Sequence, residues 1–180
     1  MHFKTIKFLV LSLATLAILP VLAAAQPKEG DQEIGLAASY YHPLGTGRGL
    51  FNFDAAYGFF PSDELEIGLR QSFTYSQSAE VKDVWNAVTA PFALYHFSDL
   101  GWAGDNALVP YLGGFIGAVW NEDDFTGTMG PDAGLKLYLS ETTFLNAGYR
   151  YEWFFEEIGE ANETQDANHV ALIGIGYNWQ

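Results

Sequence analysis

The last twelve residues of the chain alternate between two kinds of side chain. From Ala171 onward every second residue is apolar or aromatic and suits the hydrocarbon core of a membrane or its interface with water; the last four of these are Ile173, Ile175, Tyr177 and Trp179. The residues between them are small or mixed, and a period of two puts the two sets on opposite faces of a β-strand. A long strand with one apolar face and aromatic residues at its end is typical of the strand that closes a membrane β-barrel.

The start of the chain has the features of a secretory signal peptide. Lys4 and Lys7 precede an apolar core over residues 8–22, and residues 23–25 form an Ala-x-Ala cleavage site. Pro20 and the early run of small residues favour cleavage over a membrane anchor. We therefore expect residues 1–25 to be removed and residues 26–180 to form one domain.

Charge and cysteine content exclude several classes of protein. Lys4 and Lys7 are two of the 8 basic residues, so residues 26–180 carry 6 Lys and Arg against 22 Asp and Glu. The formal charge of −16 that results makes nucleic acid a poor partner. The chain has no cysteine, which excludes disulfides, cysteine-ligated metals and lipid attachment at a cysteine after the signal.

Eight segments of alternating character follow the signal and are separated by turn-forming residues. They are residues 32–42, 49–60, 64–76, 84–97, 107–120, 130–140, 143–155 and 168–180. Most exceed the soluble strand length of about five or six residues and reach the nine to eleven that a tilted membrane strand needs. The pattern predicts an all-β protein, an eight-stranded antiparallel up-and-down transmembrane β-barrel.

Aromatic residues gather near the segment ends, where they would form two girdles at the membrane–water boundaries. One predicted girdle holds Tyr40, Tyr41, Phe73, Tyr75, Trp85, Trp120, Trp153, Phe154 and Phe155, and the other holds Phe59, Phe60, Tyr95, Phe97, Phe144, Tyr177 and Trp179. A soluble lipocalin-like barrel is the alternative, with apolar residues inside and charges outside. The fourth and fifth segments have no polar face, and Pro91 predicts a bulge in the fourth.

This combination resembles the small eight-stranded outer-membrane barrels of Gram-negative bacteria, typified by the outer-membrane protein A transmembrane domain and OmpX-like proteins. The resemblance rests on the Ala-x-Ala site that ends the signal peptide, on the eight segments and on the C-terminal strand, and it covers residues 26–180. It implies a cell outer membrane location and gives Ile173, Ile175, Tyr177 and Trp179 the role of the assembly signal. Gln180 is a departure, because the family usually ends on the aromatic residue.

Charged residues of both signs occupy the register that is predicted to face inward. The predicted lumen network consists of Asp54, Glu66, Arg70, Asp132, Lys136, Arg150 and Glu152, and Glu33 and Glu64 share its register. The interior of an eight-stranded barrel is just wide enough for side chains to fill it, and buried charges there must pair. We expect a structural plug of ion pairs, and a narrow ion path lined by the same charges is the alternative.

Two predicted outer loops, residues 121–128 and 156–168, are strongly acidic. Carboxylates are ligands for hard divalent cations, so Glu122, Asp123 and Asp124 are a candidate cation cluster. The loops lack the spacing of a calcium-binding EF-hand, and a solvated loop explains the same residues without a ligand.

Some small outer-membrane barrels modify lipid A, and the deacylases among them carry a His-x-Ser pair. His96 and Ser98 have that spacing, but the pair lies in the fourth segment rather than near the C-terminus. A motif outside its structural context is only a hypothesis, so we expect no catalytic residues.

The sequence predicts an integral outer-membrane barrel with a structural, adhesive or surface-protective role. A small channel for ions or hydrophobic compounds and a lipid A-modifying enzyme are the alternatives. We expect no cofactor and no metal. The expected partners are outer-membrane lipid, lipopolysaccharide and the barrel-assembly machinery, and the chain is expected to be a monomer.

Overall fold

The fold is a closed barrel of eight antiparallel strands, as seen in a computed structural model that describes residues 26–41, 49–77, 84–100, 107–121, 125–158 and 165–180. The strands are β1 (Gln32–Tyr41), β2 (Gly49–Phe59), β3 (Leu65–Gln77), β4 (Val84–His96), β5 (Leu108–Trp120), β6 (Phe125–Tyr138), β7 (Thr143–Ile158) and β8 (Gln165–Trp179). Each strand pairs with the next, and β8 pairs with β1. The predicted barrel is confirmed, while the predicted signal peptide lies outside the described residues.

We call the end of the barrel where β1 starts and β8 finishes the terminal rim, and the opposite end the loop rim. A 3-10 helix, Ser98–Leu100, follows β4 at the terminal rim. In the described ranges no helix has the length and apolar character needed to cross a membrane.

Three predicted strand ends at the loop rim are wrong. β6 begins at Phe125 rather than at residue 130, β7 extends to Ile158, and β8 begins at Gln165 rather than at residue 168. The segment around Thr126 has the composition of a loop, yet Thr126 pairs with Val119 of β5 and is buried. The predicted loops at 121–128 and 156–168 are therefore shorter, because ladder hydrogen bonds outweigh weak strand propensity.

The bulge predicted at Pro91 is also wrong. Thr89 pairs with Ala118 and Phe92 with Phe115, so the register of β4 on β5 is the same on both sides of the proline. The ladder simply lacks the pairs at residues 90 and 91, because proline has no N–H to donate.

Large apolar side chains cover the outside of the barrel. Their exposed fraction reaches 75% at Ile173, and the outward set includes Ile34, Leu36, Phe53, Leu69, Leu112, Ile116, Leu145 and Ile175. The charged side chains in the middle of the strands lie inside, with Arg70, Lys136 and Arg150 at 9%, 3% and 3% exposed. This is the inverse of a lipocalin-like soluble barrel, so that alternative is wrong.

The fourth and fifth segments have no polar face because β4 and β5 form an apolar wall of the lumen. Val88, Ala90, Phe92, Leu94, Tyr111, Phe115 and Val119 pack together on the inside of these two strands. Their outward residues, such as Leu112 and Ile116, are apolar too. Both faces are therefore apolar, and no alternation is visible in the sequence.

Aromatic side chains contact one another at both ends of the barrel exterior. Trp85 packs against Phe73 and Trp120 near the loop rim, and Tyr95 packs against Phe97 at the terminal rim. Three predicted girdle residues are corrected: Phe60 and Phe144 are buried in the lumen, and Phe154 packs against the β4–β5 wall.

Candidate functional site

The lumen near the terminal rim holds three charged or titratable side chains around one ammonium group. Lys136 of β6 donates to both carboxylate oxygens of Glu33, at 2.7 and 2.6 Å, and to Glu66 at 3.0 Å. His96 Nε2 lies 2.9 Å from the same Oε2 of Glu66. We call Glu33, Glu66, His96 and Lys136 the lysine network; it ties β1, β3, β4 and β6 together across the lumen.

An aromatic floor lies beside the lysine network. Phe144, Phe60 and Tyr111 place their rings 4.8, 5.6 and 5.9 Å from Lys136 Nζ. Cations are attracted to ring faces at such distances. Tyr138 packs against Phe144 and accepts a hydrogen bond from Asn178 at 3.2 Å. The floor removes water from the ammonium group while offering it favourable ring faces.

Residues Gln26–Asp31 cross the terminal rim, and we call them the N-terminal strap. The backbone N–H of Gly30 donates to Phe60 O at 2.8 Å, and Phe60 N–H donates to Asp31 O at 2.9 Å. The Gln26 amide donates to Ser98 O at 3.0 Å, and Pro27 is almost fully buried. The strap therefore holds the floor residue Phe60 in place and closes over this end of the barrel.

A second group, the arginine network, lies farther toward the loop rim. It consists of Asp54, Arg70, Asp132, Arg150 and Glu152, each at most 9% exposed. Arg150 pairs with Asp54 and lies 3.3 Å from Glu152, while Arg70 Nη2 lies 2.7 Å from Asp132. The Arg70 and Arg150 guanidinium groups also lie 4.9 and 5.9 Å from the rings of Phe92 and Phe115. The arginines thus bridge the acidic side of the lumen to the apolar β4–β5 wall.

A cavity of about 60 Å³ separates the two networks. Glu33, Glu66, Arg70, Asp132, Lys136 and Asn146 contribute to its lining. Oδ1 of Asn146 and Nη1 of Arg70 are buried without a hydrogen-bond partner in the described structure. A cavity of this size holds a few water molecules, and such polar atoms are the partners that buried water needs.

Uncharged polar side chains continue the lumen toward the loop rim. Thr74 donates to Asn52 at 2.5 Å, Asn52 donates to Ser39 at 3.2 Å, and Asn121 donates to Asn86 at 3.0 Å. From the loop rim to the terminal rim, the lumen therefore contains neutral polar groups, the arginine network, the cavity, the lysine network and the aromatic floor, in that order.

All seven residues of the predicted lumen network are buried inside the barrel: Asp54, Glu66, Arg70, Asp132, Lys136, Arg150 and Glu152. Glu33 joins them, whereas Glu64 is half-buried at the terminal rim and accepts from Ser62 at 3.2 Å. Sequence reasoning missed His96 as a lumen residue. His96 lies on the same face of β4 as Phe92 and Leu94, so its alternation with them was visible in the sequence. Because β4 has no polar face, the sequence did not show which of its two faces points inward.

The other predicted sites lie elsewhere. Ile173, Ile175 and Tyr177 are exposed on the exterior of β8, and Trp179 contacts the rings of Tyr57 and Tyr177. Glu122, Asp123 and Asp124 lie outside the described residues. Across the described ranges no group of three or more His, Asp or Glu side chains is arranged to hold a metal ion.

Comparison with solved structures finds the same fold in several bacterial barrels. The N-terminal β-barrel domain of Pseudomonas aeruginosa OprF matches with a TM-score of 0.54 at 22% identity, over 84% of this chain and 98% of that one. The outer membrane protein OprG from Pseudomonas aeruginosa matches with a TM-score of 0.57 at 15% identity, over 88% of this chain and 99% of that one. Neisserial surface protein A matches with a TM-score of 0.55 at 19% identity, over 82% of this chain and 94% of that one. No family model and no curated protein matches the chain.

The fold, the apolar exterior and the charged lumen define the class. The chain is a small eight-stranded β-barrel of the outer-membrane type, and the predicted resemblance is confirmed at the level of the fold.

Proposed function

We propose that this chain is an integral outer-membrane protein whose closed barrel is a rigid scaffold for its surface loops, in a structural, adhesive or surface-protective role. The single observation that carries this proposal is the filled lumen. Two ion-pair networks and an aromatic floor occupy it in series, and the cavity between them has only about 60 Å³.

The energetics of the lumen support a plug rather than a pore. Each Asp, Glu, Lys and Arg of the two networks has an opposite charge within 4 Å, and removing one partner of a buried pair costs about 3–5 kcal/mol. An ion path would need these pairs to separate and the floor rings to move aside. A closed sheet also has no free edge, so the barrel resists local opening.

Planar-bilayer recording tests the plug. Wild-type protein in phosphatidylcholine bilayers at neutral pH is expected to give no discrete, stable conductance steps. Phe144→Ala removes a buried ring from the floor and is expected to raise leakage, whereas Leu145→Ala, its exposed neighbour, is expected to leave the baseline unchanged. A heat-dependent shift in gel mobility shows that each variant has folded. Regular steps from the wild type would support the channel instead.

We propose no catalytic role for the His96–Ser98 pair. His96 is 0% exposed, bonds to Glu66 inside the lumen, and stacks on Tyr111. An acyl ester of lipid A would lie on the apolar exterior, which this imidazole does not face. Mass spectrometry of lipid A with and without the protein tests this, and a changed acyl count that His96→Ala abolishes would overturn it.

The proposed partners follow from the two surfaces of the barrel. The apolar exterior fits the acyl chains of outer-membrane lipid and lipopolysaccharide, and the aromatic rings near both rims fit the headgroup boundary. The exterior strand β8, with Ile173, Ile175, Tyr177 and Trp179, is the proposed recognition element for the barrel-assembly machinery. We propose a monomer, since all eight strands are paired within one chain.

A further inference from the structure

A histidine lies on the apolar exterior of the barrel. His169 is the fifth residue of β8 counted from the loop rim, and its side chain is exposed on the same face of the strand as Ile173 and Ile175. Ionisable side chains on the lipid-facing surface of a membrane protein are costly, and those that occur there mark functional sites. His169 is therefore a candidate for a binding role that the lumen does not explain.

One imidazole nitrogen of His169 has a partner on the neighbouring strand. Its Nδ1 lies 2.5 Å from the phenol oxygen of Tyr149 on β7. The ring of Tyr151 meets the imidazole edge to face with 4.8 Å between the centroids, and Trp153 packs against Tyr151 at the same distance. These contacts fix the imidazole against β7, whereas its Nε2 has no hydrogen-bond partner in the described part of the chain.

Apolar surroundings favour one tautomer of the imidazole. A charged ring is costly in hydrocarbon, so the neutral form is favoured. If Nδ1–H donated to Tyr149, the phenol O–H donor and the Nε2 lone pair would both lack partners. If the phenol donates to Nδ1 instead, the one polar hydrogen left without an acceptor is Nε2–H. The pair therefore presents a single hydrogen-bond donor, the Nε2–H group of His169, to its surroundings.

The position of His169 along the barrel indicates what surrounds this donor. It pairs with Tyr151, two residues from the exposed Trp153 that lies nearer the loop rim, and its own face continues with Ala171 and Ile173 toward the terminal rim. Amphipathic aromatic rings lie at the headgroup boundary of a bilayer, and the hydrocarbon begins beneath them. The ester and amide carbonyls of acyl chains lie between these two zones, at the level where the donor is placed.

Charge distinguishes a carbonyl oxygen from a phosphate as the acceptor. The Lys and Arg side chains of the described strands are Arg70, Lys136 and Arg150, and all three are buried in the lumen. Phosphate groups are recognised by such cations or by the backbone N–H groups of a helix N-terminus. A neutral carbonyl oxygen needs one donor, and one donor is what His169 offers.

We propose that the Nε2–H group of His169 binds an acyl carbonyl oxygen of a membrane lipid. Tyr149 is a positioning residue, because its O–H group sets the tautomer and holds the ring. The site rests on the proposed function, since only a barrel within a membrane has acyl chains against its exterior. A lipid bound in this way occupies a fixed place beside β7 and β8.

Solid-state magnetic resonance tests the contact directly. The folded protein, with isotope-labelled histidine nitrogens, is reconstituted in vesicles of phosphatidylcholine whose ester carbonyl carbons are labelled. We expect dipolar coupling between the lipid carbonyl and Nε2 of His169, and none at His96, which is 0% exposed in the lumen and serves as an internal control.

Two substitutions on the exterior identify the signal and its support. His169→Phe is expected to abolish the coupling. Tyr149→Phe, which keeps the ring and loses the O–H group, is expected to weaken it and to mix the two imidazole tautomers. A heat-dependent shift in gel mobility shows that each variant has folded, and the wild-type coupling decides the proposal if one has not.

Diether phosphatidylcholine separates the two kinds of acceptor, because it keeps the phosphate and has no acyl carbonyl. We expect the Nε2–H proton of His169 to lose its hydrogen-bond shift in that lipid. An unchanged shift with coupling to phosphorus would overturn the proposal in favour of phosphate, and no carbonyl coupling in the ester lipid would overturn it as well. Coupling of Ile173 to acyl methylenes reports the membrane location, so losing both couplings would overturn the proposed function too.

Discussion

At the scale of single residues, the interior of the barrel is organised by glycines that make room for large side chains. Tyr111 lies across the lumen toward β7, and a Cβ built on Gly148 would be 2.8 Å from its hydroxyl oxygen. Gly176 makes room for the ring of Phe144 in the same way. The sequence shows these residues only as the small members of the inward register, because the ring that needs the space comes from a distant strand.

A double-mutant cycle tests this packing. Gly148→Ala is expected to lower the free energy of unfolding by about 1–3 kcal/mol, since it overpacks the lumen against Tyr111. Combined with Tyr111→Phe, which removes the hydroxyl, the same alanine is expected to cost less. Urea unfolding in lipid vesicles, followed by tryptophan fluorescence, gives the four free energies.

Gly35→Ala is the matched control for that cycle. Gly35 also points into the lumen, but a Cβ there would have no atom within 4 Å. We expect a change within about 0.5 kcal/mol, which is usual where nothing special is disturbed. Equal losses at Gly35 and Gly148, or no coupling between Gly148 and Tyr111, would contradict the packing described.

At the scale of elements, the period-two pattern located six strands, while β4 and β5, which have two apolar faces, were located only as long apolar segments between turn-forming residues. β4 and β5 are apolar on both faces, so His96 could not be assigned to the lumen in advance. The loop-rim ends of β6, β7 and β8 were also missed. Pairing with the neighbouring strand determines where those strands end. The residue composition of a single segment does not show that pairing.

The N-terminal strap is an element that no pattern predicted. Its backbone holds Phe60 through two hydrogen bonds of 2.8 and 2.9 Å, and its Glu29 N–H donates to Asp63 at 2.8 Å. We expect a chain that starts at residue 32 to fold but to exchange the amide hydrogens of the terminal rim faster, because the backbone hydrogen bonds between the strap and Phe60 are lost.

Hydrogen exchange measured residue by residue checks the strap. The amide of Phe60, which donates to Asp31 O, should lose protection, while those of Ile173 and Leu172 in β8 should keep it. The substitution Lys28→Ala keeps the strap backbone and changes only an exposed side chain, so it should leave all three amides unchanged. Equal protection in the shortened and full chains would show that the strap does not seal the rim.

At the scale of the whole molecule, one partition explains both the fold and the proposed function. Apolar side chains on the outside make lipid the preferred surroundings of the barrel, and paired charges on the inside fill most of its lumen. The closed eight-stranded fold and the inward register of the charges were predictable from the sequence. The division of those charges into two networks with a cavity between them was not, because it depends on which strands face each other across the lumen.

The absence of cysteine from the chain allows a direct test of this partition. Single cysteines placed one at a time at residues 171–175 of β8 are spin-labelled in lipid vesicles, and collision with oxygen, which concentrates in lipid, is measured. Labels at Ala171, Ile173 and Ile175 should be accessible to oxygen, and labels at Leu172 and Gly174 should be shielded. The opposite phase, with the lumen-facing positions in lipid, would contradict the account.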